Sequence, residues 1–248
     1  MRLLIILILF FLCSHCVLSG TIDPTNQDLK YIEYGKQFDC VGKLCGKDLN
    51  NQYYCASGVA IEPKWIITAA HVVKDVRTCK ISINNKEIKI KKIIPHKDFN
   101  YDNFGEYDIA LCLCDDDMEL TSYPVLYADN DEIGKICSMS GYGLHGTFET
   151  GCNKSDDFKR AGLNIIDGSD KHVLICSASN KDKTELEFIT ASGDSGGGLF
   201  IDKKLAGINS CVMAADRKPD SSFGDESCHT RISIFRGWIQ SVIREYKE

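Results

Sequence analysis

Apolar and polar residues alternate along most of this chain in short runs, and turn-forming residues separate the runs. Alternation sends successive side chains to opposite faces of an extended strand, so that one face packs and the other meets water. In the first half Val59–Ile61, Ile66–Ala70, Ile81–Ile83, Ile88–Ile94 and Ile109–Leu113 read as strands. In the second half Ile133–Met139, Leu163–Ile166, Val173–Cys176, Gly197–Ile201, Leu205–Cys211 and Thr230–Ile234 read the same way. The basic alternation Ile88-Lys89-Ile90-Lys91 fits a strand with one solvated face better than a binding patch. The tail breaks the pattern, because Trp238, Ile239, Val242 and Tyr246 recur at helical spacing and predict a closing helix over about 235–247. An acidic run, Asp115-Asp116-Asp117 with Glu119, then Tyr123-Pro124, reads as a connector between two β halves. The pattern predicts an all-β sandwich or barrel fold.

Composition narrows the setting. The 248 residues suffice for a sizeable core, and the net charge of −6 provides no basic surface for nucleic acid or an anionic membrane. Thirteen cysteines point to an oxidising compartment. Arg2, the apolar run Leu3–Leu12 and the small residues Ser19 and Gly20 have the order of a secretory leader over 1–19, too short to span a bilayer comfortably. Residues 20–30 then form a short N-terminal or propeptide segment. The expected mature protein is secreted, extracellular and free of the membrane. Loss of Cys13 and Cys16 leaves eleven cysteines, so at least one is a free thiol or bonded to a partner chain. No cysteine pair stands near a histidine pair at zinc spacing, so no metal is expected. The acidic run lacks the ligand order of a calcium loop. Asn153-Lys154-Ser155 is a glycosylation acceptor in a polar stretch.

Three stretches carry candidate chemistry. Thr190–Phe200 contains Gly193-Asp194-Ser195-Gly196-Gly197, a serine in a turn whose glycines let the backbone approach another molecule closely. Trp65–His71 ends an apolar strand on small residues and a histidine, and Tyr107–Leu111 sets one aspartate before a buried strand. Taken singly each is an ordinary structural feature. Together the order His71, Asp108, Ser195 is one of the known orders of a catalytic triad.

On these motifs, with Ser140-Gly141-Tyr142-Gly143 and His229-Thr230-Arg231-Ile232 ahead of Trp238-Ile239, the chain resembles a chymotrypsin/trypsin-type serine protease from about Tyr31 to Glu248. The resemblance implies two packed six-stranded antiparallel β-barrels, about 31–120 and 130–234, with the site between them and a C-terminal helix. It implies a secreted serine endopeptidase working through an acyl-enzyme. His71 would be the base for Ser195, Asp108 would orient the imidazole, and the N–H groups of Gly193 and Ser195 would form the oxyanion hole. Ser210 falls where the family has a serine beside the triad aspartate. Protein or peptide substrates and protein inhibitors are the implied partners, with no cofactor and a monomeric state.

The chain also departs from the family. The pocket floor is Ile189 rather than a carboxylate, and Val212 and Ser227 fall at wall positions that are often glycine. A preference for small aliphatic rather than basic residues follows, with an occluded pocket as the competing reading. Val72, Ala191 and Ile201 replace common family cysteines, while Cys211 stands where tryptophan is common. A bridge between Cys211 and Cys228 is one candidate pairing, and Cys55 with Cys79 another. Family members are commonly activated by a cut that frees an apolar N-terminus to pair with the aspartate before the serine, here Asp194. The one stretch resembling such a site is Lys30-Tyr31-Ile32-Glu33-Tyr34-Gly35. That gap keeps a second reading open: a protease-like binding or regulatory protein that is catalytically silent.

Overall fold

A computed structural model describes residues 20–103, 105–154, 156–178 and 184–246. The expected leader over 1–19, Ser155 of the glycosylation acceptor and the last two residues lie outside the described residues.

The first half builds a closed barrel. Its strands are β2 (Val41–Asp48), β3 (Tyr53–Glu62), β4 (Trp65–Thr68), β5 (Val76–Ile83), β6 (Lys86–Pro95) and β7 (Ala110–Cys114), following the N-terminal elements β1 (Thr21–Ile22) and α1 (Asp28–Gly35). They close in the order β2-β3-β4-β7-β6-β5. Closure removes sheet edges and turns alternate side chains inward. Leu44, Val59, Ile66, Ile67, Ile81 and Leu111 are accordingly buried in one cluster. The apolar run ending β4 stops at Thr68 rather than Ala70: Ala69 is extended and Ala70–Val73 form the short helix α2.

The second half is a half-barrel. Its strands are β8 (Ile136–Gly141), β9 (His145–Thr147), β10 (Gly151–Lys154), β11 (Arg160–Ile165), β12 (Gly168–Ser169), β13 (Val173–Ser177), β14 (Phe188–Ile189), β15 (Gly198–Ile201), β16 (Lys204–Met213) and β17 (Glu226–Arg231), before helix α3 (Ile232–Glu245). Seven strands pair as β11-β8-β15-β16-β17-β13-β12, and four as β10-β9-β1-β14. A bridge between Leu163 and Glu187 links the two sheets. The strand expected over Thr230–Ile234 ends at Arg231, so the closing helix begins at Ile232 rather than 235. Its Ile232, Phe235, Ile239, Val242 and Ile243 pack into the cluster of the first barrel.

The N-terminal segment belongs with the second half. Thr21 and Ile22 pair antiparallel with Ile189 and Phe188 and parallel with Gly146 and Thr147. Tyr31 lies wholly buried in the second core, beside Phe188, Met139 and Leu199. A cut after Lys30 or Tyr31 would therefore fall inside α1, at a residue with no exposed surface. Arg160, also wholly buried, holds this helix: its guanidinium donates to both carboxylate oxygens of Asp28, at 2.6 and 2.7 Å, and to those of Asp156, at 2.9 and 2.7 Å.

The cysteine framework differs from the expected pairings. Cys45 and Cys55 face each other across β2 and β3 and form a disulfide, so Cys55 is not joined to Cys79. Cys79 is a buried thiol beside the Tyr54 hydroxyl. Cys211 and Cys228 stand opposite each other on β16 and β17 as free thiols. Ile201 leaves Cys137 without its common family partner, and the sulfur of Cys176 lies 3.8 Å away instead.

Candidate active site

The turn that carries Ser195 is wedged between the two halves. Gly193 and Gly196 adopt φ of 93° and 82°, a region side chains avoid. A Cβ on Gly196 would lie 2.0 Å from Thr68 Oγ1 and 2.3 Å from the Ser57 carbonyl oxygen, so only glycine permits this approach. The Ser57 N–H donates to the Ser195 carbonyl at 2.9 Å, and its hydroxyl donates to the Gly193 carbonyl at 3.1 Å. From the second half, Gly196 N–H donates to Asn209 O at 2.8 Å and Asn209 N–H returns to Gly197 O at 2.9 Å. Asp194 is fully buried; Ala191 N–H donates to its Oδ2 and Gly143 N–H to its Oδ1, each at 2.8 Å. These bonds fix the backbone on both sides of the serine.

His71 rides on α2 at the end of β4, and Asp108 precedes β7, the strand paired with β4. His71 Nδ1 lies 2.8 Å from Asp108 Oδ2, and the His71 backbone N–H donates to Oδ1 at 2.9 Å. Ser210 links this pair to the turn that carries Ser195. Its hydroxyl donates to Asp108 Oδ2 at 2.6 Å, and its carbonyl accepts the Ser195 hydroxyl at 3.4 Å. The Thr230 hydroxyl donates to the Asp108 carbonyl at 2.9 Å. Burial pushes the Asp108 carboxylate up, but His71 and the Ser210 hydroxyl outweigh it, and the group is held below its ordinary range. For His71 burial disfavours the cation, yet the charge and hydrogen bond of Asp108 prevail and raise it above 6.5. The arrangement keeps the carboxylate ionised and makes the imidazole a stronger base.

Asp108 is aimed by a residue in an uncommon conformation. Tyr107 has φ 54°, and the Ile109 N–H closes a tight turn onto the Tyr107 carbonyl at 2.8 Å. Its ring is held between His96 and His172, with centroids 5.0 and 4.5 Å away.

Two of the three expected pocket residues are neighbours, and the third packs in a separate cluster. Val212 and Ser227 are cross-strand partners on β16 and β17. Ser227 is fully buried, with its hydroxyl 3.0 Å from His229 Nε2, and His229 Nδ1 lies 3.0 Å from Asn209 Oδ1. Burial pushes His229 down to about 3, so this ring is neutral; Nδ1–H donates to Asn209 and Nε2 accepts from Ser227. Ile189 is likewise buried, clustered with Phe148, Ala178 and the partly buried Phe223. Ser57, Asn209, Thr230 and the Tyr107 backbone were not legible as site residues, because each acts through a bond to a residue far away in sequence.

One group of metal-type ligands occurs among the described residues: Asp28, His145 and Asp156 bring ligand atoms within 4.8 Å of one another. Arg160 already bonds both carboxylates, so a cationic side chain holds the place a metal ion would take.

A closed barrel packed on a half-barrel, with Ser210 bonding both Asp108 and Ser195 and His71 bonding Asp108, is a two-lobed β arrangement of the kind serine hydrolases use. Comparison narrows it further. The trypsin family matches residues 34–239, and the chain belongs to that family. It is 27% identical over 222 residues to kallikrein 1-related peptidase b3 of Mus musculus, covering 77% of this chain and 81% of the relative. It is 28% identical over 214 residues to kallikrein-8 of Homo sapiens, covering 77% and 78%. A solved structure described as HL collagenase superposes with TM-score 0.71 at 20% identity, over 92% of this chain and 98% of that one, and supports the fold. The chain is a serine-type endopeptidase of the trypsin family. Among the described residues no helix is long and apolar enough to cross a membrane.

Proposed function

We propose that the protein is a secreted endopeptidase that cleaves after small aliphatic residues, with His71, Asp108 and Ser195 as its triad. The observation that carries the triad is the double use of Ser210, whose hydroxyl bonds Asp108 and whose carbonyl accepts Ser195. In the reaction His71 takes the Ser195 proton as Oγ attacks the substrate carbonyl. It then gives that proton to the leaving amine, and water repeats the sequence to release the acid. Asp108 holds the Nδ1–H tautomer and stabilises the imidazolium. The Gly193 and Ser195 N–H groups receive the developing oxyanion, and loss of one such donor typically costs about 3 kcal/mol.

The specificity reading rests on Ile189, Val212 and Ser227, which supply no carboxylate for a basic side chain and would leave room only for a small one. Fluorophosphonate labelling of the secreted protein, abolished by Ser195→Ala, tests the triad, and a peptide library profiled by residue before the cut tests the pocket. Absence of labelling would leave the triad without its nucleophile; preferred cleavage after Lys or Arg would overturn the pocket.

A further inference from the structure

Two unbridged cysteines meet at the edge of the candidate active site. Cys211 on β16 stands directly opposite Cys228 on β17, next to the pair Val212 and Ser227. On the other side the register shifts between Asn209 and Cys211, which makes Ser210 the extra residue of a bulge. That Ser210 bonds both Asp108 and Ser195. The cysteine pair therefore lies between this bulge and the expected pocket walls. Cys45 and Cys55 are opposed in the same way on β2 and β3 and are bridged, so opposed cysteines on antiparallel strands of this chain can close.

The two thiols are unlike. Cys228 is buried, whereas Cys211 is partly exposed. A hydrogen bond from Cys228 holds the Cys211 thiol below its ordinary range; burial and the Asp108 charge oppose it, while His71 and Ser210 reinforce it. Cys228, which gives that hydrogen bond, is pushed far up, and burial and Glu226 add to the shift. Two other described free cysteines, Cys40 and Cys152, are also partly exposed, but burial pushes each up to about 11. Cys211 alone of these three reaches the surface with its thiolate favoured. A reachable thiolate backed by a buried thiol is the arrangement of an attacking and a resolving cysteine.

We propose that Cys211 and Cys228 form a thiol–disulfide exchange site for low-molecular-weight disulfides of the glutathione type. The Cys211 thiolate attacks one sulfur of such a disulfide, its S–S bond breaks, and one thiolate leaves with the electron pair. Cys228 then loses its proton and attacks the Cys211 sulfur, which closes the Cys211–Cys228 bridge and expels the second thiolate. Two protein thiols are oxidised, one small disulfide is reduced to two thiols, and the protons pass to the released thiolates. Exchange also changes the charge beside His71. Burial lowers the His71 pKa and Asp108 raises it, and a Cys211 thiolate raises it further. Bridging removes that thiolate, so the oxidised form should keep its base to lower pH. This last consequence rests on the reading of His71 as base for Ser195; the exchange itself does not.

The test incubates the folded, secreted chain with glutathione at graded ratios of oxidised to reduced form, then quenches, alkylates and maps the peptides by mass spectrometry. The expected result is a Cys211–Cys228 cross-link that rises with the oxidised fraction and reverses with the reduced one. Cys228→Ser should trap glutathione on Cys211 as a lasting mixed disulfide, and Cys211→Ser should take up none on Cys228. The half-maximal pH of kcat/KM should lie lower in the cross-linked form than in the reduced form. No cross-link at any ratio, or equal glutathione uptake by the two variants, overturns the exchange site. A cross-link with an unmoved acid limb overturns its coupling to His71. Fluorophosphonate labelling at Ser195 separates the two readings: labelling without a cross-link leaves the endopeptidase standing, and a cross-link without labelling in either form removes the endopeptidase alone.

Discussion

Ser57, in the first barrel, donates its backbone N–H to the carbonyl oxygen of Ser195, in the second half, at 2.9 Å. Its hydroxyl spans the same junction, donating to Gly193 O at 3.1 Å and accepting the Tyr142 N–H at 2.9 Å. One residue thus steadies both the serine and the neighbour proposed to complete the oxyanion hole. Ser57→Ala keeps the backbone bond but strips a part-buried N–H of its acceptor, a cost of about 1–3 kcal/mol. The expected outcome is a lower melting temperature and a kcat reduced about tenfold with KM little changed. Wild-type kcat in this variant would show that the hydroxyl does not support the site.

The raised pKa of His71 fixes the acid limb of activity. The imidazole serves as base only when neutral, so kcat/KM should rise with pH to a half-maximal point above 6.5. Stability runs the other way. A raised folded pKa contributes stability below the unfolded value and loses it as pH climbs through the folded one. Asp108, held low, contributes above its unfolded value and loses stability as pH falls through its folded one. The pair therefore stabilises the fold most in mild acid, where catalysis is off. Melting temperatures of wild type minus His71→Ala should show a gain that grows from pH 8 to pH 5.5; a flat difference refutes the ion pair.

What the sequence made legible were the features that depend on local order. His71, Asp108 and Ser195 stand in short motifs whose residue types and chain order suggest the chemistry proposed for them, and most barrel strands show their alternation. Strand β2 hid because Gly42, Lys43, Gly46 and Lys47 interrupt its apolar run, and barrel closure buries part of it regardless. Strand β1 has two residues and takes its identity from Phe188 and Ile189, far along the chain. Ile232-Ser233-Ile234 alternates like a strand, yet these residues form the first turn of α3, where Ile232 packs into the first-barrel cluster and Ile234 stays exposed. The Cys45–Cys55 bridge depends on hairpin register, which spacing alone leaves open.

Arg160 makes a separate prediction about the N-terminal segment. Its guanidinium has no exposed surface and bonds Asp28 and Asp156 through paired N–H groups. Arg160→Ala leaves two partly exposed carboxylates near each other at helix α1, and losing hydrogen bonds to charged groups costs about 1.5–3 kcal/mol. Arg160→Lys should recover little, since a single ammonium cannot supply the planar, paired geometry. Denaturant midpoints measure this, and a lysine variant as stable as wild type would show that charge alone suffices.

Gly196 allows conformational strain to be separated from contact. Both Gly196 and Gly134 have left-handed φ, 82° and 80°, but nothing lies within 4 Å of a Cβ on Gly134. Gly134→Ala should therefore cost only the backbone term, about 1–2 kcal/mol, and leave fluorophosphonate labelling unchanged. Gly196→Ala meets the same term and, in addition, Thr68 Oγ1 at 2.0 Å and the Ser57 carbonyl at 2.3 Å. Because the second of these is backbone, the turn itself must move, and with it Ser195. Labelling at Ser195 should slow by at least about tenfold, roughly 1.4 kcal/mol of barrel-to-turn misfit expressed in the barrier. Adding Thr68→Ala removes the hydroxyl but not the carbonyl, so the double variant should recover only part of the rate. Full recovery would show that the side-chain contact alone sets the turn, and an unaffected Gly196→Ala would show that the two halves do not press on the nucleophile at all.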